Sequence, residues 1–280
     1  MDIVETFKGS LIQHGLLNRR IYLMKLGDAD PDQLIPALKE LAEKRKYTKI
    51  FAKVPSSKAG YFFDAGYQKE AVVPNFHNGC EDVSFLGCFI SPKRKESAQT
   101  DKLDNILNMA KSKGAENVEN KPISSEAEIR QCNLNDVYAM SNIYKVVFPT
   151  YPFPIDSPEY LLETMHTHVV YFGVEIEGKL VALSSAEMDE SSQNVEMTDF
   201  ATCSAWRGNG FAYHLLKCME EEMKTRGIKT AYTIARAISY GMNITFAKMG
   251  YAFGGRLVNN TNISGQIESM NVWHKSLRPL

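Results

Sequence analysis

At 280 residues the chain can form one large domain or two of ordinary size, and 44% hydrophobic with 23% charged content is a globular balance. The net charge of −1 excludes a global basic field for nucleic acid and a polybasic membrane anchor. Five scattered cysteines without CxxC spacing exclude a disulfide framework and read as reduced thiols of a cytoplasmic protein.

The N-terminal stretch is charged and has no long apolar core, so it is not read as a signal peptide. No apolar run approaches the ~18 residues of a membrane span. Residues 125–280 carry 13 Lys/Arg against 17 Asp/Glu. That excess suits a cationic substrate, and equally a solvated face.

In chain order, short strands are expected up to residue 30, the clearest over 21–26. Asp32 is read as the N-cap of a helix over 33–46 with Leu34, Leu38 and Leu41 on one face. A strand over 49–54, a short helix ending at Gly66 and strands over 68–73 and 82–90 follow. Residues 96–124 are polar, with a helix near 101–113, and read as a connector between residues 1–95 and 125–280. The basic triplet Lys93-Arg94-Lys95 has no interleaved aromatics and reads as a solvated surface.

The second half opens with a strand over 126–132 and a helix from about 133 to 147. A proline-braced aromatic loop follows, Tyr151-Pro152-Phe153-Pro154-Ile155, and then a helix over 158–167. Strands over 169–175 and 179–188 make a hairpin, and a turn over 189–193 leads to the next strand. The remaining pattern is helix 211–226, strand 229–235, helix 239–249 and strands near 251–258 and 267–275. The run 37–54 aligns at constant offset with 218–235, and Phe62 with Gly66-Tyr67 matches Phe246 with Gly250-Tyr251. The N-terminal half therefore reads as a second copy of one β-α-β-α-β-β unit.

One stretch carries chemistry. A strand ending at Thr202 turns through Arg207-Gly208-Asn209-Gly210 into a helix starting Phe211-Ala212. Glycines let backbone approach a phosphate, and the free N–H groups of a first helical turn point at it. The N-terminal copy lacks this bend, so it is expected to have lost ligand binding.

Arg207 to Ala212 fits R-x-x-G-x-A, with an acidic strand before it and Gly250-Tyr251 about 40 residues on. In this it resembles the GNAT superfamily of N-acetyltransferases, an α/β fold with a mixed sheet. The resemblance covers 125–280 and implies acetyl-CoA as co-substrate, with no metal. Phe200, Ala201, Thr202, Arg207, Gly208, Asn209, Gly210, Phe211, Ala212 and Asn243 would hold it. The blocks around Tyr151–Ile155, Glu196–Asp199, Arg236–Asn243 and Glu268–Trp273 are similar to the β-lysine N-acetyltransferases, and that likeness spans the chain. It implies acetylation of the side-chain amine of β-lysine, giving an osmolyte. Another small amine, a protein lysine, or a non-catalytic CoA-binding module are the alternatives.

The reaction needs a base for the ammonium, donors for the developing oxyanion and a proton for the leaving thiolate. Glu196 is the expected base and Asp199 the expected partner of the cationic substrate. In a regular strand they would point to opposite faces, a geometry that a bulge would change. The resemblance would place a tyrosine acid at Phe246, which has no proton to give, so Tyr240 is the candidate acid. Tyr151, Phe153, Arg236, Glu268 and Asn271 are the candidate substrate contacts. The histidines show no metal-ligand spacing, and the sequence does not specify an oligomeric state.

Overall fold

The computed structural model describes residues 2–116 and 122–278. Residues 117–121 of the expected connector lie outside the described residues.

The N-terminal half begins with a meander of β1 (Ile3–Phe7), β2 (Ser10–Gly15) and β3 (Arg20–Lys25). Helix α1 (Pro31–Lys44) crosses over to β4 (Lys49–Pro55), which runs parallel to β3. Helix α1 starts earlier than its pattern suggests. Asp30 is the cap, accepting the N–H of Asp32, because Pro31 takes the first helical position, where its missing donor costs nothing. Helix α2 (Ala59–Asp64) leads to the hairpin of β5 (Gln68–His77) and β6 (Glu81–Phe89).

Between the halves stand α3 (Pro92–Lys95) and α4 (Thr100–Ala115). The second half is β7 (Ala127–Gln131), α5 (Val137–Val147), α6 (Pro158–Thr167), β8 (Val169–Ile176), β9 (Lys179–Asp189) and β10 (Asn194–Thr202). It continues with α7 (Phe211–Thr225), β11 (Thr230–Arg236), α8 (Tyr240–Lys248), β12 (Ala252–Ile263) and β13 (Gln266–Ser276).

The thirteen strands of the described residues join one sheet, ordered β1-β2-β3-β4-β6-β5-β12-β13-β11-β10-β9-β8-β7. Read from either end, the order follows one pattern, with one more meander strand in the second half. A meander leads into a parallel pair bridged by a helix, then into a swapped hairpin (β4-β6-β5 in one half, β11-β13-β12 in the other). The halves meet where β5 lies against β12, with Ala71 opposite Gly255. A Cβ at Gly255 would stand 2.2 Å from the carbonyl oxygen of Glu70, and its φ of +143° suits glycine. This strand contact therefore requires that glycine.

Apolar packing follows the same division. Helices α1 and α2 cover Ile21, Leu23, Ile50 and Ala52 of the first half. Helices α7 and α8 cover Val195, Met197, Ala231 and Trp273 of the second. Another cluster belongs to both halves and joins Tyr22, Phe51 and Phe85 to Tyr232, Leu257 and Met270. A polar seam lies beside it. Fully buried Lys49 pairs with Glu70 at 2.7 Å and donates to the Val258 carbonyl at 2.8 Å. Burial pulls the Lys49 ammonium down to about 8 against the pull of Glu70.

Helix α4 is a connector in chain order and a core element in packing. It buries Leu103, Ile106, Leu107 and Ala110 at helical spacing, and a Cβ on its Gly114 would meet Ala247 of α8. The basic triplet also divides. Lys93 and Lys95 are exposed, whereas Arg94 is buried and donates to the carbonyls of Asn259 and Asn18 and to Thr48 Oγ1. The reading of this triplet as wholly solvated is corrected for Arg94: its fork satisfies carbonyls that the irregular backbone of β12 leaves open.

Candidate active site

Strands β10 and β11 run parallel only from Asn194 opposite Thr230 to Glu196 opposite Tyr232. Beyond that β10 keeps its partner β9 as far as Thr202, while β11 follows β13. The two strands therefore splay, and a cavity of about 720 Å³ opens between them, within the range of a small-molecule site.

The register of β9 and β10 shifts between Thr198 and Ala201. At that bulge Asp199 takes φ +53°, a left-handed conformation that aspartate tolerates better than most residues. The bulge resolves the facing problem of the sequence. Glu196 and Asp199, three residues apart, both line the cavity. Asp199 accepts from the Tyr151 hydroxyl at 2.6 Å and from Ser185 at 2.5 Å.

A further carboxylate joins them. Glu187 stands directly opposite Glu196 across the β9–β10 ladder and lines the same cavity. Burial raises the Glu196 carboxyl to about 7, and repulsion from Glu187 adds to it, against the stabilising pull of Lys53 and the Tyr232 hydroxyl. Burial also raises Asp199, opposed by its hydrogen bonds from Ser185 and Tyr151.

The bend is placed at the mouth of the splay. Gly208 and Gly210 have φ of +88° and +76°, and Gly210 is the N-cap of α7, whose first turn no side chain caps. Thr202, Arg207, Gly208, Gly210, Phe211 and Ala212 line the cavity, as does Phe200. Ala201 is buried beneath it, and Asn209 turns away to donate to the Trp206 carbonyl at 2.9 Å.

Several expected residues are assigned elsewhere by the packing. Asn243 is fully buried and off the cavity. Its amide donates to the carbonyls of Arg236 and Ser239, and its oxygen accepts from Asn271 and Trp273, which leaves no capacity for a co-substrate. Asn271 is fully buried in the same network and also accepts from Arg256 at 3.0 Å. Glu268 does not line the cavity and holds Arg236 in a two-bond fork at 2.8 and 2.6 Å. Arg236 does line the cavity, with its charge already paired. Tyr240, at the exposed start of α8, is not brought to the cavity, whereas Phe246 is. Tyr151 and Phe153 line it as expected.

The far wall was not expected. Arg20 and Tyr22 of β3 and Phe51 of β4 complete the cavity from the N-terminal half. Glu187 had a readable signal. The turn over 189–193 sets Asp189 opposite Asn194, and counting away from the turn along both strands pairs Glu187 with Glu196. Arg20 had none, because its position depends on the closure of one half against the other.

Comparison with known proteins bears on this geometry. Residues 137–251 match the acetyltransferase (GNAT) family model. The chain is 43% identical, over 98% of its length and 99% of that protein's, to the beta-lysine N(6)-acetyltransferase of Methanococcus maripaludis. The chain belongs to the GNAT acetyltransferase family. It is also 34% identical to a beta-lysine N(6)-acetyltransferase of Methanosarcina mazei, over 88% of this chain and 97% of that one. With the N-acetyltransferase YodP of Bacillus subtilis it shares 30% identity over 96% of each chain.

As a GNAT member the chain is an N-acetyltransferase that takes its acetyl group from acetyl-CoA. The glycine bend, with its uncapped helix start, offers free N–H groups to an anion. Gly210→Val would force a branched side chain into the left-handed region, at a cost of roughly 1–2 kcal/mol. If that cost falls on binding, the Kd for acetyl-CoA rises about 5- to 30-fold, which calorimetry would detect. An unchanged Kd would move the pyrophosphate away from this helix start.

Proposed function

We propose that this GNAT enzyme acetylates the side-chain amine of β-lysine, with Glu196 as the general base. The observation that carries the site reading is the cluster of Glu187, Glu196 and Asp199 on one cavity wall, beside an uncapped helix start. The cluster suits an ammonium, and the helix start suits a pyrophosphate. The substrate's name comes from the two relatives called beta-lysine N(6)-acetyltransferase.

The amine arrives protonated, with an ordinary pKa of about 10. Glu187 and Asp199 favour its approach, and Glu196, raised toward 7 by burial and by Glu187, takes the proton. The freed nitrogen attacks the thioester carbon, the C–N bond forms, the nitrogen sheds its second proton to water, and the C–S bond breaks. Backbone N–H groups around Phe200 to Thr202, on the edge that β11 leaves, would hold the oxyanion. Phe246 lines the cavity without a proton to give, so on this reading the thiolate takes its proton from water.

The N-terminal half is, on the same reading, a diverged copy of the catalytic unit. The mirrored strand order supports this, as does the chemistry at the start of α1. Where the catalytic copy has an open glycine bend, Asp30 fills the cap, Pro31 removes a donor and Asp32 adds charge. A phosphate would meet two carboxylates there. Residues 1–95 would thus serve as scaffold and 125–280 as catalyst.

Steady-state CoA release with β-lysine, α-lysine, polyamines and aminoglycosides tests the substrate. The expected result is the highest kcat/KM for β-lysine. A higher value for any other amine would replace β-lysine as substrate and leave the acetyltransferase assignment standing.

A further inference from the structure

Arg20 is the first residue of β3, 4% exposed, and its side chain reaches the wall of the cavity. Its Nη1 donates to the Asn260 carbonyl at 2.6 Å and to Thr261 Oγ1 at 3.0 Å. Its Nε is buried and has no partner, and no carboxylate pairs with it among the described residues. Its guanidinium carbon sits 5.3 Å from the ring centre of Tyr22 and 5.5 Å from that of Phe51, which orient the plane without neutralising it. Burial draws it down to about 10, as expected of a cation held without a counter-ion.

A buried charge is ordinarily paired or hydrogen-bonded on all sides. Three other cations of the described residues follow this rule. Lys49 has Glu70, Arg236 has Glu268 and the fork of Arg94 is filled by carbonyls. Arg20 is the departure. The groups that act on its charge are Tyr22, Asp2 and Glu70, and none of the acidic wall of Glu187, Glu196 and Asp199 is among them. The cavity is thus polarised, with carboxylates at the transfer end and an unanswered guanidinium on the opposite half. Nη1 is fixed, while Nε and Nη2 make no hydrogen bond among the described residues, which leaves donors of this guanidinium for an anion.

We propose that Arg20, donated by the N-terminal half, is the carboxylate anchor of the amine substrate. The enzyme thereby selects amino acids with a distal amine over carboxylate-free diamines. The inference rests on the β-lysine reading above and adds a function for the diverged half: it holds one end of the substrate while the catalytic half acts on the other.

The test compares β-lysine with its carboxamide, in which the anionic group is neutral and the amines are retained. Wild-type enzyme should favour the acid over the amide by on the order of 100-fold in kcat/KM, chiefly through KM. Arg20→Met, which keeps the apolar stem, should bring this ratio close to one while the Kd for acetyl-CoA holds. Arg20→Lys, which keeps charge and loses the fork, should give an intermediate ratio. A wild-type ratio near one would overturn the anchor without any variant, and so would an Arg20→Met enzyme that keeps the full ratio. If Arg20→Met does not fold, the wild-type ratio and Arg20→Lys decide. A wild type that acetylates neither compound removes the β-lysine reading and this inference together. One that acetylates β-lysine without preferring it to the amide removes this inference alone.

Discussion

Glu196→Gln is expected to lower kcat on the order of 10²–10³-fold while the Kd for acetyl-CoA stays within about twofold. The substitution keeps the shape of the side chain and removes only its capacity to take a proton. The bend proposed to bind acetyl-CoA lies beyond Thr202, past the bulge, away from that carboxylate. Rapid-quench or steady-state turnover with calorimetric binding measures both quantities. An unchanged kcat would remove Glu196 from the base role and leave Glu187, its cross-strand neighbour, as the alternative.

The pH dependence follows from the same site. A base works when ionised, so activity is lost as pH falls through the pKa of the Glu187–Glu196 pair, with Glu196 raised to about 7. Glu196→Gln should flatten that limb of the kcat/KM profile. The sign for stability is opposite. A carboxyl raised above its ordinary 4.5 contributes stability that is fully present below that value and lost as pH rises through about 7. Glu196→Gln should therefore melt at or above the wild-type temperature at pH 8. Low activity without a lower Tm would separate a lost base from a damaged fold.

Gly255→Val should have the largest effect on the fold. The new Cβ would lie 2.2 Å from the Glu70 carbonyl oxygen and 2.6 Å from Ala71 Cα, on backbone atoms that cannot swing aside. Strain at a glycine-only φ and overpacking together are worth roughly 3–5 kcal/mol, a large share of a stability of about 5–15 kcal/mol. The damage falls on the β5–β12 contact, so the wall made by Arg20, Tyr22 and Phe51 should shift with it. Denaturant unfolding would report the loss. A variant of unchanged stability and KM would show that the halves do not depend on that strand contact.

What could be read in advance was local or repeated along the chain. The glycine bend, the aromatic loop and both β-α-β-α-β-β units were visible because spacing and turn chemistry act over a few residues. The bulge at Asp199 was foreseen only as a condition, since a strand pattern does not say where its register slips. Asn243, Asn271 and Glu268 are polar residues with binding chemistry, but each found a partner inside the fold, and partner choice is decided by tertiary packing. Tyr240 has the right chemistry on the right helix and lies between Ser239 and Gly241, which line the cavity, but it is exposed and does not line it. Arg20 lies 176 positions before Glu196 in the sequence, and only the closure of the mirrored halves brings both to one cavity.

The most direct test of the central claim is the product formed from β-lysine and ¹³C-acetyl-CoA, identified by NMR as the reaction runs. The account predicts a single product acetylated on the side-chain nitrogen, formed in step with CoA release. Acetylation of the other amine, or CoA release with no acetylated β-lysine, would contradict it.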